Sequence, residues 1–159
     1  MPKLSDDHSP PVGAEDLAGL FRARREPMAR LAFVLTGNSQ VSDEIVQDAF
    51  LKMHSNWEHI SNPIGYLRTA VINGCHSYHR HVAVERRAPV ARQRVAIAVT
   101  DELSDALAKL SYDHRAVLAL RYFCDLDDFE IADILNIRPG TVRSRIHRGL
   151  AQLRKEIPQ

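Results

Sequence analysis

Arg143, Ser144, Arg145, His147 and Arg148 lie close together near the end of the chain. Their side chains suit an anionic partner. The arginine fork can meet both acceptors on a guanine edge, or it can hold a phosphate, and Ser and His add single hydrogen bonds. This is the chemistry of recognition rather than of bond breaking. Elsewhere His, Asp and Glu are plentiful, yet they form no nucleophile elbow, phosphate-binding loop or metal-ligand spacing. The sequence therefore predicts no catalytic residue, no cofactor and no metal site, and an enzyme is the least supported reading.

The recognition residues need an element to position them. Val142, Ile146, Leu150, Leu153 and Ile157 recur at steps of three and four, which is one face of a helix. Ser144, His147, Arg148, Ala151 and Lys155 fall opposite, with Arg143 and Arg145 on the flanks. Pro139 suits a first helical turn, where its missing N–H has no intrahelical role. Just upstream, Asp127 and Glu130 fit a capping box. Ile131, Ala132 and Leu135 give that shorter helix its buried side, and Ala132 is small where two crossing helices approach. Asn136 and Ile137 make the turn, and Asn tolerates the left-handed backbone. A plain pair of helices with a solvated basic face is the competing reading. The small Ala, the short turn and the basic outer face together favour a helix-turn-helix, whose second helix enters the DNA major groove.

The whole chain is nearly neutral, with 21 basic and 20 acidic residues among 159. Their distribution is uneven. Residues 58–100 hold six Arg against two Glu, residues 101–135 hold nine acids against three bases, and residues 136–159 hold six bases against one acid. Two basic blocks around an acidic one suggest two anion-binding surfaces. Cys75 and Cys124 stand alone, which excludes a disulfide framework and suggests reduced, partly buried thiols. No stretch reaches a membrane-spanning length and no leader pattern opens the chain, so a cytoplasmic protein without membrane insertion is expected.

The fold class read from the pattern is all-α, as two small helical domains joined by a basic linker. Residues 1–15, rich in Pro and polar residues, read as a disordered tail. The first domain spans 16–81. It opens with a helix over 16–36 that Pro27 divides or kinks and that Gly37 and Asn38 end. A helix over 39–54 follows, burying Ile45, Val46, Ala49, Phe50 and Met53. Asp43, Glu44, Gln47, Asp48 and Lys52 lie outside, with Leu51 among them. An apolar residue ringed by acids is either a chance exposure or a protein-docking surface. Asn62 and Pro63 then start a helix as N-cap and first-turn residue. Ile64, Leu67, Val71, Gly74 and Tyr78 form its buried stripe. Tyr66, Thr69, Asn73, His76 and Arg80 form a polar outer row, which is either solvated or laid against a nucleic-acid strand. Residues 82–100 carry Pro89 and four Arg without a helical period and read as the linker. The second domain spans 101–159, with helices over 101–110 and 112–124 ahead of the helix-turn-helix.

These segments resemble the sigma-70 family of bacterial RNA polymerase sigma factors, in its compact extracytoplasmic-function form. LTGNSQVSDEIVQDAFLKM (35–53) and NPIGYLRTAVINGCHSYHR (62–80) resemble region 2. LSYDHRAVLALRYFCDLDDFEIADILNIRPGTVRSRIHRGLAQLR (110–154) resembles region 4. The phrasing is similar to actinobacterial members. The resemblance implies a promoter-specificity subunit that binds core RNA polymerase through the β′ clamp helices and the β flap. Asp43, Glu44, Gln47, Asp48 and Leu51 would be the polymerase-binding residues, which turns the Leu51 alternative toward docking. Ser61 and Asn62 would hold a flipped base of the −10 element, with Tyr66, Thr69, Asn73, His76 and Arg80 beside them. Arg138, Thr141, Arg143, Ser144, Arg145, His147 and Arg148 would meet the −35 element. The linker would thread toward the polymerase channels, and an anti-sigma factor would hold the protein inactive.

The chain also departs from the family pattern. Many relatives have Ser before the Gly-Thr-Val of the recognition helix, and this chain has Arg138-Pro139. Asn136 stands where Gly is frequent. His76 and Tyr78 replace a common Asp or Arg. Trp57 can stack on a base, although a lone Trp more often fills a core. A stand-alone helix-turn-helix regulator is the alternative function, but it leaves the acidic docking face, the 62–80 helix and the linker unexplained.

Overall fold

The computed structural model describes residues 14–84 and 101–157. Among them are seven α-helices, one 3-10 turn and no strand, so the all-α expectation holds. The helices fall into two compact units, α1–α3 and α4–α7. Of the expected tail over 1–15, residues 1–13 lie outside the described residues and 14–15 already belong to the first helix; of the expected linker over 82–100, residues 85–100 lie outside them.

Helix α1 (Ala14–Thr36) passes through Pro27 undivided. A proline inside a helix removes one hydrogen bond and costs about 3 kcal/mol. The Pro27 ring is exposed, and the turns beyond it bury Met28, Leu31, Ala32 and Leu35 against the rest of the unit, which offsets that cost. Gly37 at φ +70° ends the helix, its N–H donating to the Phe33 carbonyl at 2.8 Å. Asn38 does not belong to that ending. It caps the next helix, its Oδ1 accepting the Val41 N–H at 3.1 Å.

Helix α2 (Ser39–Ser55) buries Val46, Ala49, Phe50 and Met53 as expected. Ile45 is only half-buried, and Ser42 joins the buried face. The Ser42 hydroxyl donates to the Asn38 carbonyl at 2.7 Å and lies 2.9 Å from the Thr36 hydroxyl. Those bonds let a polar side chain go under at the α1–α2 corner.

A 3-10 turn (Trp57–His59) leads to α3 (Pro63–Val84), which extends past residue 81 into the start of the expected linker. Its buried face is broader than the predicted stripe. Leu67, Val71, Ile72 and Cys75 are buried, while Ile64, Gly74 and Tyr78 are only half-buried. The helix packs on both α1 and α2, so two adjacent faces are covered. Gly74 permits that approach, since a Cβ there would stand 2.7 Å from Cγ2 of Ile45.

The second unit contains α4 (Asp101–Lys109), α5 (Tyr112–Tyr122), α6 (Asp128–Leu135) and α7 (Pro139–Glu156). Ser111 caps α5, accepting the His114 N–H at 3.3 Å. Helix α5 stops two residues short of the expected end. Ala116 to Leu120 are all buried, because this helix is packed by both α6 and α7. Gly149, on the apolar side of α7, lets that helix come close to α5. A Cβ there would lie 3.2 Å from Leu118 Cδ1 and 3.3 Å from His114 Cβ.

Candidate nucleic-acid and polymerase interfaces

The helix-turn-helix is built by its own local bonds. The Asp127 carboxylate accepts the Glu130 N–H at 2.9 Å, and the Glu130 carboxylate accepts the Asp127 N–H at 2.8 Å. This is the capping box expected at that position. At the other end Asn136 adopts φ 54°, ψ 49°. The Ile137 N–H donates back to the Ala132 carbonyl at 3.0 Å and the Asn136 N–H to that of Asp133 at 3.4 Å. That pair of bonds is a Schellman ending with Asn in the position usually held by Gly. Helix α7 then starts with Arg138 as N-cap, which makes no side-chain capping bond, and Pro139 inside the first turn.

Ile131, Ala132 and Val142 are buried where α6 and α7 cross. Ile146, Leu150 and Leu153 are half-buried and Ile157 is exposed, so the apolar stripe of α7 is covered only in part. Ser144, His147, Arg148, Ala151 and Lys155 are exposed, on the side opposite the core. No acid stands in the first turn of α7, so the positive end of the helix dipole is not offset there.

The two flanking arginines differ. Arg143 is 69% exposed, with Nε 3.8 Å from Asp128 Oδ2. Arg145 is 28% exposed, with Nη2 3.7 Å from Asp113 Oδ2 on α5. Asp128 also pairs with Arg121 of α5. Spacing along α7 alone could not reveal these partners, because they come from other helices. Thr141 is half-buried and Arg138 exposed at the start of α7.

In the first unit, Asp43, Glu44, Gln47, Asp48 and Leu51 share one exposed side of α2, with Leu51 59% exposed. That side borders an apolar groove of about 620 Å³ between α1 and α2, lined by Leu17, Phe21, Val46, Phe50 and Leu51. Phe21 meets Phe50 edge to face at 4.9 Å, and the Arg25 guanidinium stands 5.5 Å from the centre of the Phe21 ring. Arg22 and Arg25 rim the groove on one side and Asp43 and Gln47 on the other. The sequence reading did not anticipate this groove, since it assigned α1 no buried or binding face. The signal in the sequence is an aromatic, Phe21, followed directly by Arg22, Arg24 and Arg25, and the structure leaves Phe21 exposed.

At the start of α3, Ser61 and Asn62 are exposed, and Asn62 Oδ1 accepts the Gly65 N–H at 3.1 Å. Asn62 is thus the expected cap, with the nitrogen end of its amide still able to donate. Of the polar row, Asn73, His76 and Arg80 are exposed, and Tyr66 and Thr69 are half-buried. The Tyr66 hydroxyl accepts from Asn56 Nδ2 at 3.3 Å, which ties α3 to the loop before it. Trp57 is half-buried in the 3-10 turn, neither core nor freely displayed. Cys75 and Cys124 are buried and form no disulfide.

Residues 100–153 match the family described as sigma-70, region 4. Over 86% of its length the chain is 29% identical to the ECF RNA polymerase sigma factor SigL of Mycobacterium tuberculosis, covering 88% of that protein. The chain is also 28% identical to the RNA polymerase sigma-E factor of Streptomyces coelicolor, with 86% of the chain and 82% of that relative aligned. A shorter stretch of 63 residues is 40% identical to SigW of Bacillus subtilis and spans only 34% of that protein. The fold is that of the sigma factor RpoE solved with the anti-sigma factor NepR from Bartonella quintana. The TM-score is 0.75 at 22% identity, over 90% of this chain and 97% of that one. CnrH, solved with the cytosolic domain of CnrY, gives a TM-score of 0.66 at 18% identity over 90% and 88%.

Proposed function

We propose that this chain is an extracytoplasmic-function sigma factor of the sigma-70 family, which binds core RNA polymerase and directs it to promoters, where transcription starts. One observation carries the reading. A capped helix-turn-helix with an outward basic helix shares the chain with a second helical unit whose α2 presents an exposed Leu51 among acids. The sigma factor supplies no chemistry of its own, and the polymerase performs the reaction.

Helix α7 meets the −35 element, at base edges or phosphates, through Arg138, Thr141, Arg143, Ser144, Arg145, His147 and Arg148. The start and outer row of α3 meet the −10 element through Ser61, Asn62, Tyr66, Thr69, Asn73, His76 and Arg80. Helix α2 docks on the β′ clamp helices through Asp43, Glu44, Gln47, Asp48 and Leu51, and the second unit meets the β flap. Each basic surface alone binds phosphates weakly and with steep salt dependence. Holding both on one polymerase raises the effective concentration of the second contact. Strand opening costs base stacking. A base captured near Asn62 offsets part of that cost, since stacking on a side chain is worth about 1–3 kcal/mol per base. RpoE and CnrH were each solved with an anti-sigma partner. By the same logic an anti-sigma factor covers the docking faces of this chain when it is inactive, and the protein works in the cytoplasm.

Gel filtration of the full chain with core polymerase tests the reading. The chain is expected to co-elute with core and, alone, to bind duplex DNA only weakly. Tight, sequence-specific binding of duplex by the free chain, with no affinity for core, would establish a stand-alone helix-turn-helix regulator instead.

A further inference from the structure

Arg143 and Arg145 look equivalent in the sequence, two positions apart on one helix. The structure separates them. We propose that Asp128 is a positioning residue that aims Arg143 at a single base pair of the −35 element, and that Asp113 withholds Arg145 from base reading. The inference rests on α7 being the −35 reader.

Asp128 is well placed for the role. It is the first residue of α6, directly after the capping residue Asp127, so the backbone that carries it is fixed. Its Oδ1 pairs with Arg121 of α5, and its side chain is only 23% exposed. The second oxygen, Oδ2, is left facing Nε of Arg143 at 3.8 Å. That distance is beyond a hydrogen bond, so the contact acts as an electrostatic guide on a long side chain. A carboxylate already held by another partner costs little further ordering, and it narrows the orientations Arg143 samples before DNA arrives.

The atoms decide which arginine reads. A guanine edge offers O6 and N7 to a pair of guanidinium donors. With Nε turned to Asp128, Arg143 keeps both terminal nitrogens free, and the side chain is 69% exposed. Arg145 is arranged the opposite way. Its terminal Nη2 faces Asp113 at 3.7 Å, and the side chain is 28% exposed. The end of its fork is engaged on the protein side, which suits a brace to α5 rather than a base contact.

The test uses the holoenzyme, with the full chain on actinobacterial core polymerase and a promoter set in which every −35 position is varied singly. The readout is base preference, a ratio between templates in which a lower folded fraction cancels. Arg143→Ala is expected to flatten the preference at one base pair. Asp128→Asn is expected to weaken the preference at that same pair by about two- to fivefold, the scale of an exposed ion pair. Combined with Arg143→Ala it should add nothing, and Asp113→Asn should leave that pair untouched. The proposal is overturned if Asp128→Asn leaves the preference intact, or alters it equally without Arg143. It is also overturned if Arg145→Ala removes the preference that Arg143→Ala spares. A holoenzyme indifferent to every −35 position removes the reading of α7 itself, an outcome distinct from the loss of one side chain's role.

Discussion

Replacing Leu51 by Ala separates docking from folding. Leu51 is 59% exposed on α2, so most of its side chain has no partner within the protein. A substitution at such a site changes stability by about 0.5 kcal/mol or less. In the complex the same side chain would be covered. Full burial of a Leu is worth about 1.5–3 kcal/mol, and scaling by the exposed fraction leaves about 1–2 kcal/mol for docking to use. Loss of that contact weakens core binding by about 5–30-fold. The assay is a titration of the labelled chain with core polymerase, read as fluorescence anisotropy, beside a thermal melt by circular dichroism. The account predicts a raised Kd with an almost unchanged Tm. A Kd within twofold of the wild type would refute docking through this side chain. A Tm lowered by about 8 °C or more, equivalent to 1–2 kcal/mol in a unit of this size, would show that Leu51 is structural.

Substitutions at three further positions probe the fold that holds the site. Asp127→Ala removes one capping bond and frees Glu130 from its reciprocal bond; the second unit should lose about 1 kcal/mol, seen as a Tm lower by about 4–8 °C. Asn136→Ala places an ordinary side chain at φ 54° and should cost about 1–2 kcal/mol in urea denaturation, whereas Asn136→Gly should cost nothing or stabilise. Gly149→Leu forces a side chain between α5 and α7, where a Cβ alone meets Leu118 at 3.2 Å; overpacking should cost about 1–3 kcal/mol and lower duplex binding in parallel.

Local interactions explain what the sequence disclosed. The capping box, the Asn136 turn, Pro139 in the first turn and the outward row of α7 all depend on residues within a few positions of one another, so their spacing suffices. The polar face of α2 was legible for the same reason. Tertiary packing explains what was missed. Pro27 stays inside α1 because the turn after it is buried, a fact no local rule contains. Ile72 and Cys75 go under because α3 meets two helices rather than one. Ser42 is buried because the α1–α2 corner supplies its hydrogen-bond partners. The same limit applies to the candidate site. Spacing placed Arg143 and Arg145 on one helix, but only the carboxylates of Asp128 and Asp113, from α6 and α5, distinguish them. The α1–α2 groove likewise needs two helices side by side before it exists.

Run-off transcription from a library of promoter fragments, with core polymerase in the presence and absence of the full chain, tests the central claim most directly. The account predicts transcripts that depend on the added protein and that start downstream of a shared pair of elements, one near −10 and one near −35. Transcription that is the same with and without the protein, while the free chain still binds a specific duplex, would contradict it.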